Sequence, residues 1–269
     1  MRYIPKTNYE RFDDPTVHTL KVKLRATTVF DENYKFVDNS FKAKVGRFVL
    51  KAALAVIGWP IMWTVTGFKI KGMRNLRRNR RLLKRGFMTA CNHIHLWDFV
   101  GIILAFFRYA PNMPAWDQNV LGTNRHMVRM TGGIPVPKTP RALKAFSNAI
   151  EGLLKDEKWV HFYPEVAMWD YYHEIRPFKK AAFAFAAKAD VPMLPLVYTY
   201  RKPRGIWKLF RKPATLTLNI GEPVFPDIML EMQDRAADLL RRTRSSILKM
   251  AEINEDVFAA RQEALLRNK

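Results

Sequence analysis

The sequence predicts an α/β fold in which a central, mostly mixed sheet is flanked by helices and preceded by a membrane-contacting helical hairpin. Three observations predict it. Between Phe87 and Ile220, apolar runs of strand length alternate with segments of helical length, the order that builds a sheet covered by helices. Before them, Phe48 to Phe68 is almost continuously apolar, interrupted by Gly58-Trp59-Pro60. After that stretch, Lys69 to Arg85 carries nine basic residues and no acid, so an apolar anchor abuts a cationic block.

Taken in order, residues 1–40 read as a β arm. Leu20, Val22 and Leu24 alternate with Lys21, Lys23 and Arg25, and Asp31-Glu32-Asn33 makes a turn. The opening residues have no apolar core and carry early acids, unlike a secretory signal. Residues 41–68 form the membrane motif. About twenty apolar residues can span a bilayer, but Pro60 breaks a helix, and basic flanks on both sides assign both ends to one face. A hairpin dipping into one leaflet fits these constraints, with two buried core helices as the plainer alternative. Residues 69–269 form the α/β domain. Its strands are expected at 87–91, 134–136, 159–163, 193–200 and 214–220; its helices at 97–108, 119–130, 140–156 and 178–189, followed by a long terminal helix from about Asp227 to Arg267.

Composition bounds the function. A formal charge of +22 with 48% hydrophobic residues describes a folded protein that accumulates at polyanions. An apolar segment beside the charge favours an anionic membrane surface over nucleic acid, which is not expected as a partner. A second basic block, Arg201 to Lys212, is interleaved with Trp207 and Phe210. The single cysteine, Cys91, excludes an internal disulfide framework and a thiolate zinc site; within an apolar strand it reads as a buried small side chain.

The chemistry-bearing stretch is Asn92-His93-Ile94-His95-Leu96-Trp97-Asp98. His93 falls at a strand-to-helix junction, and Asp98 returns over the first helical turn. There its carboxylate can accept from one ring nitrogen and leave the other as a base. A metal-dependent hydrolase is the rival enzyme reading, because His93-x-His95 is chelate-like, but the remaining histidines form no paired ligand motif.

Three further motifs follow in order: Gly132-Gly133-Ile134-Pro135-Val136-Pro137-Lys138, Phe162-Tyr163-Pro164-Glu165 and Val191-Pro192-Met193-Leu194-Pro195-Leu196. With His93 to Asp98, they resemble the glycerolipid acyltransferases of the lysophosphatidic acid acyltransferase family over about residues 55–225. The resemblance implies a glycerol-3-phosphate acyltransferase-like fold. It also implies transfer of an acyl group from a thioester of coenzyme A or acyl carrier protein to a lysophospholipid hydroxyl, with no other cofactor and no metal. His93 is then the general base and Asp98 its orienting carboxylate. Lys138 and Glu165 hold the acceptor headgroup, Lys179 and Lys180 meet phosphate, and Pro192 borders the acyl slot. Backbone amides near the His93 turn are the expected oxyanion donors. The implied location is the cytoplasmic face of the cell membrane.

Two departures bear on the acceptor. After glutamate the family's third motif usually continues with glycine, threonine and arginine, where this chain has Val166, Ala167 and Met168; Lys138 stands where arginine is usual. A lysine ammonium does not replace a bidentate guanidinium. A different lysolipid or a glycolipid acceptor is therefore an alternative, as is a non-enzymatic basic protein that binds membrane or nucleic acid.

Overall fold

The computed structural model describes residues 2–7, 14–210 and 213–260. The membrane motif is one helix, not a hairpin. An α-helix α1 (Phe41–Ala53), a π-helical stretch (Leu54–Gly58) and α2 (Trp59–Thr66) run on without a turn. The reason lies at Pro60, which has no amide to donate. The amide of Trp59 reaches back five residues to the Leu54 carbonyl, and this widened turn accommodates the proline without breaking the helix. Ser40 caps the start by accepting from the Ala43 amide, and Gly67 in the left-handed conformation ends it.

The α/β domain begins with β1 (Lys69–Lys71) and α3 (Met73–Arg78), then β2 (Phe87–Ala90), α4 (Asp98–Ala105), β3 (Met113–Trp116), α5 (Asp117–Leu121) and α6 (Arg125–Met130). It continues with β4 (Gly133–Val136), α7 (Pro140–Lys155), β5 (Trp159–Phe162), α8 (Ala181–Ala189), β6 (Met193–Arg201), β7 (Thr215–Ile220) and α9 (Met232–Met250). Five strands form one sheet in the order β1-β7-β6-β2-β5. Only the β6–β7 pair is antiparallel, so the sheet is mixed as expected. β3 and β4 pair in parallel as a separate ribbon beside edge strand β5, where the His161 amide donates to the Asn112 carbonyl at 2.8 Å.

Side-chain alternation divides the core. Leu194, Leu196, Tyr198 and Tyr200 of β6 pack with Val100, Ile102 and Ile103 of α4. From the opposite face, Met88, Ala90 and Met193 pack with α7 and α8 residues such as Ile150 and Phe183. Because β2 and β6 are buried on both faces, their sequences are nearly continuous apolar runs with little alternation.

Two further expectations are corrected. Among the described residues the N-terminal arm holds no strand, only a single bridge from Leu24 to Gly122. Its alternating sequence instead lies extended on the domain, with Phe36 buried against Phe146. The long terminal helix ends at Met250, after which Glu252 adopts a positive φ. Residues 261–267 of that expected helix lie outside the described residues.

Candidate active site

β2 and β5 are adjacent and parallel, with Ala90 opposite Phe162, so the loops leaving their carboxyl ends emerge side by side, where open α/β sheets bind ligands. One loop carries His93 and the other Tyr163 and Glu165. Asp98, first residue of α4, is fully buried beneath them.

His93 Nδ1 lies 2.8 Å from Asp98 Oδ2. That carboxylate oxygen also accepts from the Ile94 and His95 amides at 3.0 and 3.3 Å. The other oxygen accepts from the Tyr163 hydroxyl at 2.7 Å. Burial acts to raise the Asp98 carboxyl, but His93, Tyr163 and the Ile94 amide outweigh it and hold the group below the ordinary carboxylate range. An ionised Asp98 facing Nδ1 makes that nitrogen the donor, so Nε2 of a neutral ring carries the free lone pair. The His93 side chain is 21% exposed and borders a cavity of about 750 Å³. The Tyr163 ring lies flat on the imidazole, with centroids 4.0 Å apart and an interplanar angle of 18°.

The depth of α4 fixes this geometry. A Cβ on Gly101 would meet the Tyr198 hydroxyl at 2.3 Å and the Phe68 ring at 2.7 Å, so glycine lets the helix seat close to the sheet. The Tyr198 hydroxyl then donates to the Asp98 carbonyl at 2.6 Å, while the Asn92 side chain exchanges two bonds with the Tyr198 backbone.

Glu165 is not on the cavity wall. It is 1% exposed and accepts from the His93 amide at 3.1 Å, the Arg176 amide at 2.9 Å and the Arg176 guanidinium at 2.8 Å. Its oxygens are committed to a buried ion pair that braces the His93 loop, so it cannot hold a headgroup. Arg176, equally buried, lies over the Trp169 ring at 4.6 Å. Pro192 is also corrected: it is buried, and its carbonyl accepts from Met88. It belongs to the sheet and not to the cavity lining.

Lys138 and Lys179 do line the cavity. Lys138 pairs with Asp117 at 2.8 Å, whereas Lys180, at the start of α8, lies outside the lining. The His93 amide donates to Glu165 on the neighbouring loop, and the amides of Ile94, His95 and Trp97 donate to Asp98 and His95 within the turn, so these four are already engaged and are not free as oxyanion donors. Among the described residues no three His, Cys, Asp or Glu side chains gather to hold a metal ion, and the His95 Nδ1 of the chelate-like pair accepts from the Trp97 amide. Cys91 is buried, and burial pushes its thiol well up, in line with a packing role.

Sequence reading missed Tyr163, Arg176 and the arm residue His18, which stacks on Trp116 with centroids 3.9 Å apart and lines the same cavity. Tyr163 was legible as the aromatic of the Tyr-Pro-Glu turn. Arg176, eleven residues beyond its partner Glu165, carries no local signal.

Residues 67–199 match the family model described as acyltransferase. Over 178 residues the chain is 26% identical to human 1-acyl-sn-glycerol-3-phosphate acyltransferase beta, covering 64% of this chain and 62% of that protein. The chain thus spans less than two thirds of the length of this curated relative. Its fold is similar to the crystal structure of the 1-acyl-sn-glycerophosphate (LPA) acyltransferase PlsC from Thermotoga maritima. The TM-score is 0.52 at 19% identity, covering 78% of this chain and 84% of that one.

Proposed function

We propose that this protein transfers a fatty acyl group from a thioester to a lysophospholipid hydroxyl in phospholipid synthesis, a reading supported by the match of residues 67–199 to the acyltransferase family model. The observation that carries the reading is His93, held on one side by buried Asp98 and open on the other to a cavity. A glycerol hydroxyl is a poor nucleophile at neutral pH. Nε2 of His93 takes its proton as the oxygen attacks the thioester carbonyl, and Asp98 stabilises the imidazolium. When the C–S bond breaks, the imidazolium returns the proton to the departing thiolate. The reaction needs neither a metal nor a resident cofactor, since coenzyme A or acyl carrier protein brings the acyl group as a co-substrate. Cavity residues Leu20, Leu96, Trp97 and Phe99 give the chain an apolar environment, and the volume is that of an ordinary small-molecule site.

The apolar helix Phe41–Thr66 and the basic block support association with an anionic bilayer, and in this reading the enzyme works at the cytoplasmic face, where its lipid acceptor resides. The test is thiol release from palmitoyl-coenzyme A by the purified protein with a panel of lysolipids, beside His93→Ala. Acceptor-dependent release that the variant lowers by about 1,000-fold or more is expected for loss of the base. Equal release by both proteins would remove His93 from the chemistry.

A further inference from the structure

The lining of the cavity that His93 borders is completed by residues that precede the stretch matched to the family model. The extended strap of residues 14–26 supplies His18, Leu20, Lys21, Val22 and Lys23 to the lining. It is fastened along its length. Arg176 donates to the Pro15 carbonyl and Trp169 to the Val17 carbonyl, each at 2.8 Å. The Thr19 hydroxyl donates to the Met168 carbonyl at 3.1 Å, and the Arg25 and Ala26 amides donate to Leu121. The strap thus lies over Met168, which is 7% exposed and brings no charge to the site.

The charged lining of the cavity is unbalanced. Lys21, Lys23, Lys138 and Lys179 face a single carboxylate, Asp117, and Lys138 already pairs with it. No acid occurs from Pro15 to Phe30, and among the described residues neither Lys21 nor Lys23 has an ion-pair partner. Two residues apart in extended chain, their stems rise about 7 Å from each other, close enough for two flexible ammonium groups to converge on one phosphate. In a cleft such an excess of positive charge attracts an anion.

We infer that Lys21 and Lys23 are specificity-determining residues that bind a phosphate ester carried by the acceptor whose hydroxyl reacts at His93. The inference rests on the acyltransferase reading. Donor and acceptor both carry phosphate, and chemistry separates them. In coenzyme A the whole pantetheine arm lies between thioester and phosphates. In a lysolipid built on glycerol phosphate, the reacting hydroxyl and the phosphate ester can sit on neighbouring carbons, so both fit within one cavity with His93.

The experiment compares the wild type, Lys21→Ala/Lys23→Ala and Lys21→Arg/Lys23→Arg. Both lysines are exposed, so thermal unfolding is expected to be unchanged and serves as the folding control. Calorimetric titration with a water-soluble short-chain lysophosphatidic acid reads binding without turnover. Thiol release reads KM for lysophosphatidic acid, for uncharged monoacylglycerol and for palmitoyl-coenzyme A. The double alanine variant is expected to weaken phosphate-ester binding and to raise KM for lysophosphatidic acid by about tenfold relative to monoacylglycerol, with recovery in the arginine variant. Unchanged binding overturns the inference, as does a rise confined to KM for palmitoyl-coenzyme A, which would assign the strap to the donor. If the wild type binds the ester through these lysines yet transfers no acyl group, the strap site stands and the reaction falls.

Discussion

At the scale of single residues, the site is organised by two buried carboxylates with separate tasks. Asp98 faces the ring of His93, and Glu165 faces its backbone. The second task makes a prediction that differs from the one the Pro-Glu motif invites. A headgroup ligand, when lost, raises KM for the acceptor; a brace, when lost, lets the base drift and lowers kcat. Glu165→Gln leaves the Arg176 charge buried without its partner, which costs about 3–5 kcal/mol. The expected outcome is a large fall in the urea midpoint and in kcat at matched folded fraction, with KM for the acceptor nearly unchanged. Arg176→Met added to Glu165→Gln removes the orphan charge and is expected to recover part of the stability. A selective rise in acceptor KM with normal stability would restore Glu165 as a binding residue. The His93–Asp98 pair was legible because both partners lie within five residues and a helix start fixes their approach. The role of Glu165 was not, since it depends on Arg176 and on two parallel strands bringing distant loops together.

At the scale of elements, the strands of the main sheet that hold apolar runs were legible to within a residue or two, whereas β1 and β3 were not. β1 is the short triplet Lys69-Ile70-Lys71 inside a basic block, and β3 is a four-residue apolar stretch whose Pro114 argues against a strand; both are too short to be read alone, and pairing makes them strands. The π-helical stretch before Pro60 was likewise illegible, because a proline marks a disturbance without saying whether the chain turns or widens. The turn after β5 yields a prediction. Val166 has φ +70°, a conformation that β-branched residues rarely adopt, at the position where the resembling family has glycine. Val166→Gly relieves a steric cost of about 1–2 kcal/mol and loses part of that to the greater freedom of glycine when unfolded. Stabilisation by about 0.5–1 kcal/mol is therefore expected, read as a higher urea midpoint. A lower midpoint would mean that packing of the valine against the cavity outweighs the backbone strain.

At the scale of the whole molecule, the question is how a 26-residue apolar helix, Phe41–Thr66, meets the bilayer. At about 39 Å it exceeds a hydrocarbon core of about 30 Å, so length permits a span. Attachment opposes one. Before the helix, Phe36 is buried against Phe146, and the Arg129 guanidinium donates to the Phe36 carbonyl. After it, Phe68 is buried in the core and β1 joins the sheet. Between these points the Lys51 ammonium donates to the Tyr109 carbonyl, and the Trp207 indole donates to the Trp63 carbonyl. Both ends and the middle are thus fastened to one body, while Phe48, Val49, Val56 and Ile57 point outward and exposed. That arrangement suits a helix lying in one leaflet, its apolar side in the acyl region and the cations of Lys69 to Arg85 near the headgroups. Single cysteines at Lys42, in the first turn of the helix, and at Lys71, five residues past its end, test it in protein added to the outside of sealed anionic vesicles. Native Cys91 is fully buried and contributes little background to labelling of the folded protein. An impermeant maleimide in the outer solution is expected to label both positions, and detergent to add nothing. Protection of either position until detergent is added would show that the helix crosses the membrane, and that the contacts tying it to the domain are released when it does.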